Sequence, residues 1–337
     1  MRHTQMKVMK INSSKKNIFF CELLLLILIN IYFNEKKING IERRNLPKLS
    51  NKKDYENLHF AIIQRLCSEC GLLSFFIVHL GCIHNQLLDG YIPIIDLKSF
   101  PNLINGYNTS HNNYWELFFE QPFGYTLEEV LKNAKNIKYV KCQDCSPRPD
   151  STSMIYNEVK INFWRNMLIN YMQIKKEIMD LSMKLTKKLF NNSKNILGVL
   201  TRGTDYISRR PKNHPIPPDI NDLIKDVKKM DDEYKYDYIF FTTEDEKMRD
   251  LFEKSFINKI RQIKPKIRIN YDYSGKKTLA HNENIRGNIE YNKIYLLNVI
   301  ILSKSLDIAT ARCTAAAGIF ILSNGFRNKK IYDLGLY

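Results

Sequence analysis

The sequence predicts an α/β protein with doubly wound, parallel sheets in two domains. Three observations predict it. The run Ile196-Leu197-Gly198-Val199-Leu200 is apolar and β-prone, and it ends abruptly in Thr201-Arg202-Gly203-Thr204-Asp205. A second such run, Tyr238-Ile239-Phe240-Phe241-Thr242, ends in Thr243-Glu244-Asp245-Glu246. Helical patterns separate and follow these runs, and strands alternating with helices of this length argue for a parallel sheet. A length of 337 residues suits two ordinary domains, each large enough to bury its own core.

From the N-terminus, residues 1–16 form a basic tail and Ile18 to Phe33 an apolar run. The run is shorter than the ~20 residues of a usual spanning helix and contains Glu22 and Asn30. Basic residues precede it without a small-residue cleavage site after it, so residues 17–34 read as a membrane anchor. An interfacial helix, or an extension outside the folded domain, is the alternative. Basic residues on both flanks leave its orientation open. The polar stretch 35–54 reads as a linker.

Residues 55–90 carry helix-like apolar spacing and close on Asp89-Gly90, a turn signal. Tyr91 to Asp96 reads as a short buried strand. The segment Asn112 to Tyr125 is dense in aromatics, which suits either a sugar-stacking groove or core packing. Residues 153–192 carry a long helical stripe of Met and aromatic side chains, usually a core face. The second α/β unit then begins at Asn195, with a helix over 219–230 and another from Asn292 to Ser303, ahead of a strand near Asp307. The lobes expected are 55–175 and 176–337.

Lys and Arg number 52 against 35 Asp and Glu, a formal charge of +17. The lysines are scattered, with no basic stripe interleaved with aromatics, so nucleic acid is not the expected partner. Seven cysteines at irregular spacing do not read as a disulfide framework. Cys67/Cys70 and Cys142/Cys145 form two Cys-x-x-Cys pairs, a weak zinc signal because the gap between them is far longer than in a zinc ribbon. Sequons occur at Asn108 and Asn191.

In a doubly wound sheet, ligands sit beyond the carboxyl ends of the strands. Three loops meet that condition. The first holds Arg202, Gly203, Thr204 and Asp205, where an always-charged guanidinium fork suits a diphosphate and a glycine permits close backbone approach. The same spacing also allows Arg202 and Asp205 merely to pair. The second holds Thr243, Glu244 and Asp245, whose acids can accept from a base or a ribose, or simply cap a helix. The third, Thr310 to Gly318, places Cys313-Thr314 before a run of small residues. A helix N-terminus there suits a pyrophosphate, and close packing on the sheet is the alternative.

Leu200-Thr201-Arg202-Gly203-Thr204-Asp205 followed by His214-Pro215-Ile216 resembles the first motif of the α1,6-fucosyltransferase-like superfamily. That superfamily includes rhizobial chitin-oligosaccharide and protein O-fucosyltransferases. Its α1,6 members read roughly His-x-Arg-Arg-Thr-Asp-Lys, with a later His-Pro-Ile. The resemblance spans roughly residues 60–337 and is most specific around 198–216. It implies a GT-B-like pair of Rossmann-type lobes, no metal and no cofactor, and GDP-fucose as donor substrate. Arg202 falls where the family contacts the β-phosphate. Gly203, Thr204 and His214 fall beside it, Thr243, Glu244 and Asp245 where acids hold the nucleoside, and Cys313 and Thr314 where the family has paired serines.

The departures are specific. Gly203 replaces a second Arg, Leu200 a His, Tyr206 a Lys, and Arg210 stands at about the position of an acceptor-side Glu. A general base is therefore not assigned by resemblance. Asp205, Asp96, Glu120 and His214 are the candidates, with Arg202 and Asp205 expected to carry the chemistry. The expected activity is transfer of fucose from GDP-fucose to a glycan of a surface polysaccharide. The alternatives are a membrane-tethered nucleotide- or glycan-binding protein without turnover, and a transferase using GDP-mannose or a UDP- or ADP-sugar.

Overall fold

The described residues open on a parallel sheet whose middle strand comes first. In the computed structural model, which describes residues 55–337 apart from 110, 111, 144, 265–270, 272, 275–278, 280 and 281, β1 (His59–Gln64) pairs with β2 (Ile92–Asp96) and β3 (Asn136–Lys141). The strand order is β2-β1-β3. Helix α1 (Leu72–Leu88) makes the β1–β2 crossover, and α2 (Leu127–Asn133) leads into β3. A capping box fixes the start of α2: Thr126 accepts from the Glu129 N–H, and the Glu129 carboxylate accepts from the Thr126 N–H.

The second sheet contains β4 (Ile196–Leu200), β5 (Tyr238–Thr242), β6 (Ile260–Arg261), β7 (Asp307–Ala311) and β8 (Lys329–Tyr332). All neighbours are parallel and the order is β6-β5-β4-β7-β8. The topological switch point therefore lies between β4 and β7, where the chain leaves one side of β4 for the other. Between β3 and β4 run α3 (Glu158–Tyr171) and α4 (Lys176–Phe190). Within the second sheet come α5 (Thr204–Ser208), α6 (Ile220–Tyr234), α7 (Glu246–Ser255), α8 (Ile289–Leu302) and α9 (Thr314–Leu322). Residues 51–337 cluster as one unit holding both sheets.

The cores follow the apolar runs. Leu197, Val199, Ile239 and Phe241 pack with Leu223 and Val227 of α6 and Phe252 of α7. Phe241 and Phe252 stack with ring centroids 3.9 Å apart. Helix α1 is buried along most of its length, and α9 packs on it at Gly318, beside Leu73 and Phe76. A Cβ on Gly318 would stand 2.9 Å from Leu73 Cδ1, so this helix pair needs the glycine to close.

Several expectations change in detail. Residues 55–90 hold a strand, β1, before the helix. The long helical stripe at 153–192 breaks after Tyr171. There Gln173 O accepts from the Glu120 N–H at 2.8 Å, and the Lys175 N–H donates to Phe118 O at 3.0 Å. Residues 173–175 thus leave the helical pattern for an antiparallel bridge, Ile174 against Phe119. That segment is packed inward: Trp115, Phe118 and Phe119 are buried. The expected basic tail, anchor and linker at 1–54 lie outside the described residues. Among the described residues no helix is long and apolar enough to cross a membrane.

The two Cys-x-x-Cys pairs do not come together as a four-thiolate zinc site. Cys67 bonds to Cys70, while Cys142 and Cys145 both lie at bonding distance from Cys82. Cys82 on α1, which the spacing did not reveal, stands beside both thiols of the second pair.

Candidate functional site

Where β4 ends, the chain must turn from a buried strand into solvent, and Arg202 is the second residue past the strand. A cavity of about 540 Å³ opens over the carboxyl ends of β4, β5 and β6, a size ordinary for a small-ligand site. Arg202, Asp205, His214, Thr243, Glu244 and Thr314 line it. Gly203, Thr204, Asp245 and Cys313 lie outside its lining and act as its frame.

The guanidinium of Arg202 is held from two sides. Its Nε stands 2.9 Å from Glu244 Oε1, and its Nη2 stands 3.5 Å from Asp205 Oδ1. Its face rests on the Tyr206 ring, with Cζ 4.2 Å from the centroid. Burial would make this cation harder to keep, and Glu244, with Tyr206, Tyr295 and Asp205 behind it, more than offsets that, so its pKa lies well above the ordinary value. Arg202 is thus a fixed, partly exposed cation with 23% of its side chain open to the cavity. The pairing of Arg202 with Asp205 occurs, but Glu244 is the closer partner.

Glu244 also accepts from the Gly203 N–H at 3.0 Å and from the Thr204 hydroxyl at 3.3 Å. It links the β4 loop to the β5 loop. Asp245 does the same from below. Its Oδ2 accepts from the Thr204 N–H at 2.9 Å, and its Oδ1 from the Met248 N–H at 3.1 Å and the Tyr273 hydroxyl at 2.7 Å. Only 2% of Asp245 is exposed, so it is the N-cap of α7 and a clamp on α5, with no acceptor left facing the cavity.

Gly203 serves that clamp. A Cβ built on it would lie 2.4 Å from Asp245 Oδ2 and 2.5 Å from Asp245 Cβ. The close approach that the glycine permits is therefore to the Asp245 side chain, where the sequence reading had placed a ligand.

At the switch point, α9 starts at Thr314, exposed at the cavity wall, with buried Cys313 as its N-cap residue. Burial pushes the Cys313 thiol up, so it stays protonated. Thr314, the first residue of α9, lines the same cavity as Arg202, while the Ala315 and Ala316 N–H groups are turned to the buried Cys313 sulfur.

His214 stands at the rim, its ring edge-on to Tyr206 at 5.4 Å and its Nδ1 3.1 Å from Lys212 O. Residues 213–216 are anchored by the chain's last residues. The Asn213 N–H donates to Tyr337 O at 3.2 Å, the Tyr337 N–H to His214 O at 3.1 Å, and the Ile216 N–H to Gly335 O at 3.1 Å.

Two base candidates are placed elsewhere. Asp96 is 4% exposed, and its carboxylate is consumed by Gln64 Nε2 at 2.7 Å and the N–H groups of Lys98 and Ser99 at 2.9 Å. Glu120 pairs with Lys175 at 2.7 Å. Neither lines the cavity.

The cavity also has walls that motif reasoning missed. Tyr291, Tyr295 and Asn298 of α8 face it. Their spacing of four and three residues, polar on a strongly apolar helix, was the available signal. Burial raises the pKa of both phenols, so they are neutral hydrogen-bonding groups. Cys67, Glu69 and Cys70 of the β1–α1 loop line the opposite side, and Arg249 and Gln262 the far end.

No family model matches this chain, and no curated protein sequence matches it. Solved structures do. NodZ α-1,6-fucosyltransferase soaked with GDP-fucose is 13% identical, with 79% of this chain and 93% of that chain covered and a TM-score of 0.49. Fucosyltransferase NodZ from Bradyrhizobium is 12% identical, with 78% and 92% covered and a TM-score of 0.47. POFUT1 in complex with GDP is 9% identical, with 83% and 99% covered and a TM-score of 0.49.

Proposed function

We propose that this chain is a glycosyltransferase that moves a sugar from a nucleotide donor to a glycan acceptor, with fucose from GDP-fucose as the transferred group. The observation that carries this reading is Arg202, held by Glu244 at the sheet's switch point and facing a cavity that the N-terminus of α9 also borders. Transfer through an oxocarbenium-like transition state leaves a nucleoside diphosphate whose charge grows as the glycosidic bond lengthens. A preorganised guanidinium stabilises that charge without reorganising. The choice of fucose rests on the sequence resemblance. In this reading residues 55–175 form the acceptor side, residues 176–337 bind the donor, and residues 18–33 tether the chain to a membrane.

The test is GDP-fucose turnover with an acceptor panel in wild type and Arg202→Ala. Loss of transfer in a folded Arg202→Ala protein supports the reading, and full activity in that variant overturns it. Asp205 and Glu244 are both committed to Arg202, and this favours one second reading: a binding protein that holds the nucleotide and does not turn it over. Binding of GDP-fucose without transfer or hydrolysis across the panel selects it.

A further inference from the structure

The chain treats its two Cys-x-x-Cys pairs differently. Cys67 and Cys70 bond to each other. Cys142 and Cys145 are instead both turned to Cys82 on α1, which precedes them by 60 and 63 residues. The three sulfurs lie within 4.8 Å of one another. A disulfide uses only two of them, whereas a thiophilic metal ion uses all three. With sulfur about 2.3 Å from zinc, two thiolates on one tetrahedral ion stand about 3.8 Å apart, inside that span.

The backbone holds these thiols in place. The Cys142 N–H donates to Gln64 O at 2.7 Å, which extends the pairing of β3 with β1 by one residue. Asn85 Nδ2 donates to Ser146 O at 3.2 Å, and a Cβ on Gly81 would stand 2.7 Å from Pro147 O. The loop after Cys145 therefore lies on α1 at positions 81 and 85, on either side of Cys82, and only a glycine at 81 admits that approach. Cys82 and Cys142 are buried and Cys145 is half-buried, so one side of the cluster is open to solvent. Among the described residues no His, Asp or Glu joins the three. Lys141 and Arg148 flank the loop in sequence, and positive charge beside a thiol favours the thiolate that binds metal. The fold also has a use for the link. Strand β3 is an edge of the first sheet, and its side chains are exposed or half-buried, so little apolar burial holds it.

We propose that in the reduced protein Cys82, Cys142 and Cys145 bind one zinc ion, with water at the fourth position on the open side, and that the ion clips the end of β3 to α1. Binding forms three Zn–S bonds and releases the three thiol protons to solvent. None of the three cysteines lines the cavity over the second sheet, so the inference stands or falls apart from the glycosyltransferase reading.

The experiment is titration of the full chain, reduced and kept free of oxygen, with Zn²⁺ and with Co²⁺ as its spectroscopic stand-in. Wild type is compared with Cys67→Ser/Cys70→Ser, which takes the other pair out of competition, and with Cys82→Ser and Cys142→Ser made in that background. Each protein is checked for an intact melting transition. The Cys67→Ser/Cys70→Ser protein is expected to bind one ion, and cobalt to give the intense thiolate-to-metal charge-transfer band and the visible bands of a tetrahedral site. Adding Cys82→Ser or Cys142→Ser should cost at least the roughly 10–100-fold in affinity that loss of an outer-shell partner already costs. Should those variants fail to fold, the Cys67→Ser/Cys70→Ser protein supplies a second reading: zinc raises its melting temperature, and a chelator returns it. No ion bound by that protein when folded and reduced, cobalt spectra without thiolate ligation, or affinity unchanged by Cys82→Ser overturns the inference.

Discussion

Gly203 and Asp245 occupy one space: a methyl group on the glycine would lie 2.4 Å from the Asp245 carboxylate. That contact explains a departure from the resembled motif, which carries an arginine at this position. Here the room is taken by an acid that caps α7 and clamps α5. Gly203→Ala forces one of the two apart, and because Asp245 is bonded on three sides the shift falls on the Arg202 loop. The expected cost is about 1–3 kcal/mol of stability, typical of overpacking at a tight site. Nucleotide affinity should fall with it, since Arg202 precedes the glycine. Chemical denaturation and titration with GDP check both, and an unchanged midpoint would show that the loop relaxes freely.

Asp245→Asn separates the clamp from its charge. The substitution keeps the shape but turns one acceptor oxygen into an NH₂, which must face either the Thr204 N–H or the pair formed by the Met248 N–H and the Tyr273 hydroxyl. A buried donor meeting a donor costs about 1–3 kcal/mol. Urea denaturation with an unchanged m-value is the measurement. If the loss appears at full size, Asp245 is a structural acid, and its place beside Glu244 in the sequence is no guide to a shared role.

The sequence made Arg202 legible because an apolar run that ends in Arg-Gly-Thr-Asp has few uses other than an anion site or an ion pair. It did not separate Glu244, which faces the cavity, from Asp245, which faces away. Adjacent residues past a strand end point to different sides, and nothing in Thr-Glu-Asp-Glu marks which side is open. Gln262 was silent for a different reason. It follows a two-residue strand, too short to show periodicity, inside a lysine-rich stretch. Strand β3, Asn-Ile-Lys-Tyr-Val-Lys, was missed because most of its side chains are exposed or half-buried, so no apolar run marks it. The break in the 153–192 helix depends on hydrogen bonds to residues 118–120, a long-range pairing that local spacing does not record.

The thiol arrangement gives a prediction from valence alone. Cys82 has Cα–Cα distances of 6.8 Å to Cys142 and 5.6 Å to Cys145, both within the usual disulfide range, but one sulfur makes one bond. Cys67 and Cys70 are paired with each other, and Cys313 is free and buried. Peptide mapping of the oxidised protein without reduction should therefore find Cys82 joined to Cys142 or to Cys145, and never to both in one molecule. Among the described cysteines, unfolding should expose Cys313 and the third member of the cluster to alkylation. Cys82→Ala should leave Cys142 and Cys145 either joined to each other or both free. Recovery of Cys67 or Cys70 joined to Cys142 or Cys145 would contradict the arrangement.

His79 on α1 sets a pH limit on the fold. It is fully buried against Phe75 and Trp115, and among the described residues neither ring nitrogen has a hydrogen-bond partner. Burial, with a further contribution from the Arg65 charge, pushes its pKa down from 6.5 to about 3. The folded state therefore keeps this ring neutral, while the unfolded chain takes up a proton below about pH 6.5. Stability is whole above that pH and is lost as the pH falls toward about 3, at no more than about 1.4 kcal/mol per unit for one proton. Between pH 7 and pH 5 His79 should remove about 2 kcal/mol. His79→Leu, apolar and of similar size, should flatten that part of the profile while changing stability at pH 7 by much less. Urea midpoints for both proteins at pH 7, 6 and 5 decide it. Parallel profiles would show that the acid sensitivity comes from other groups.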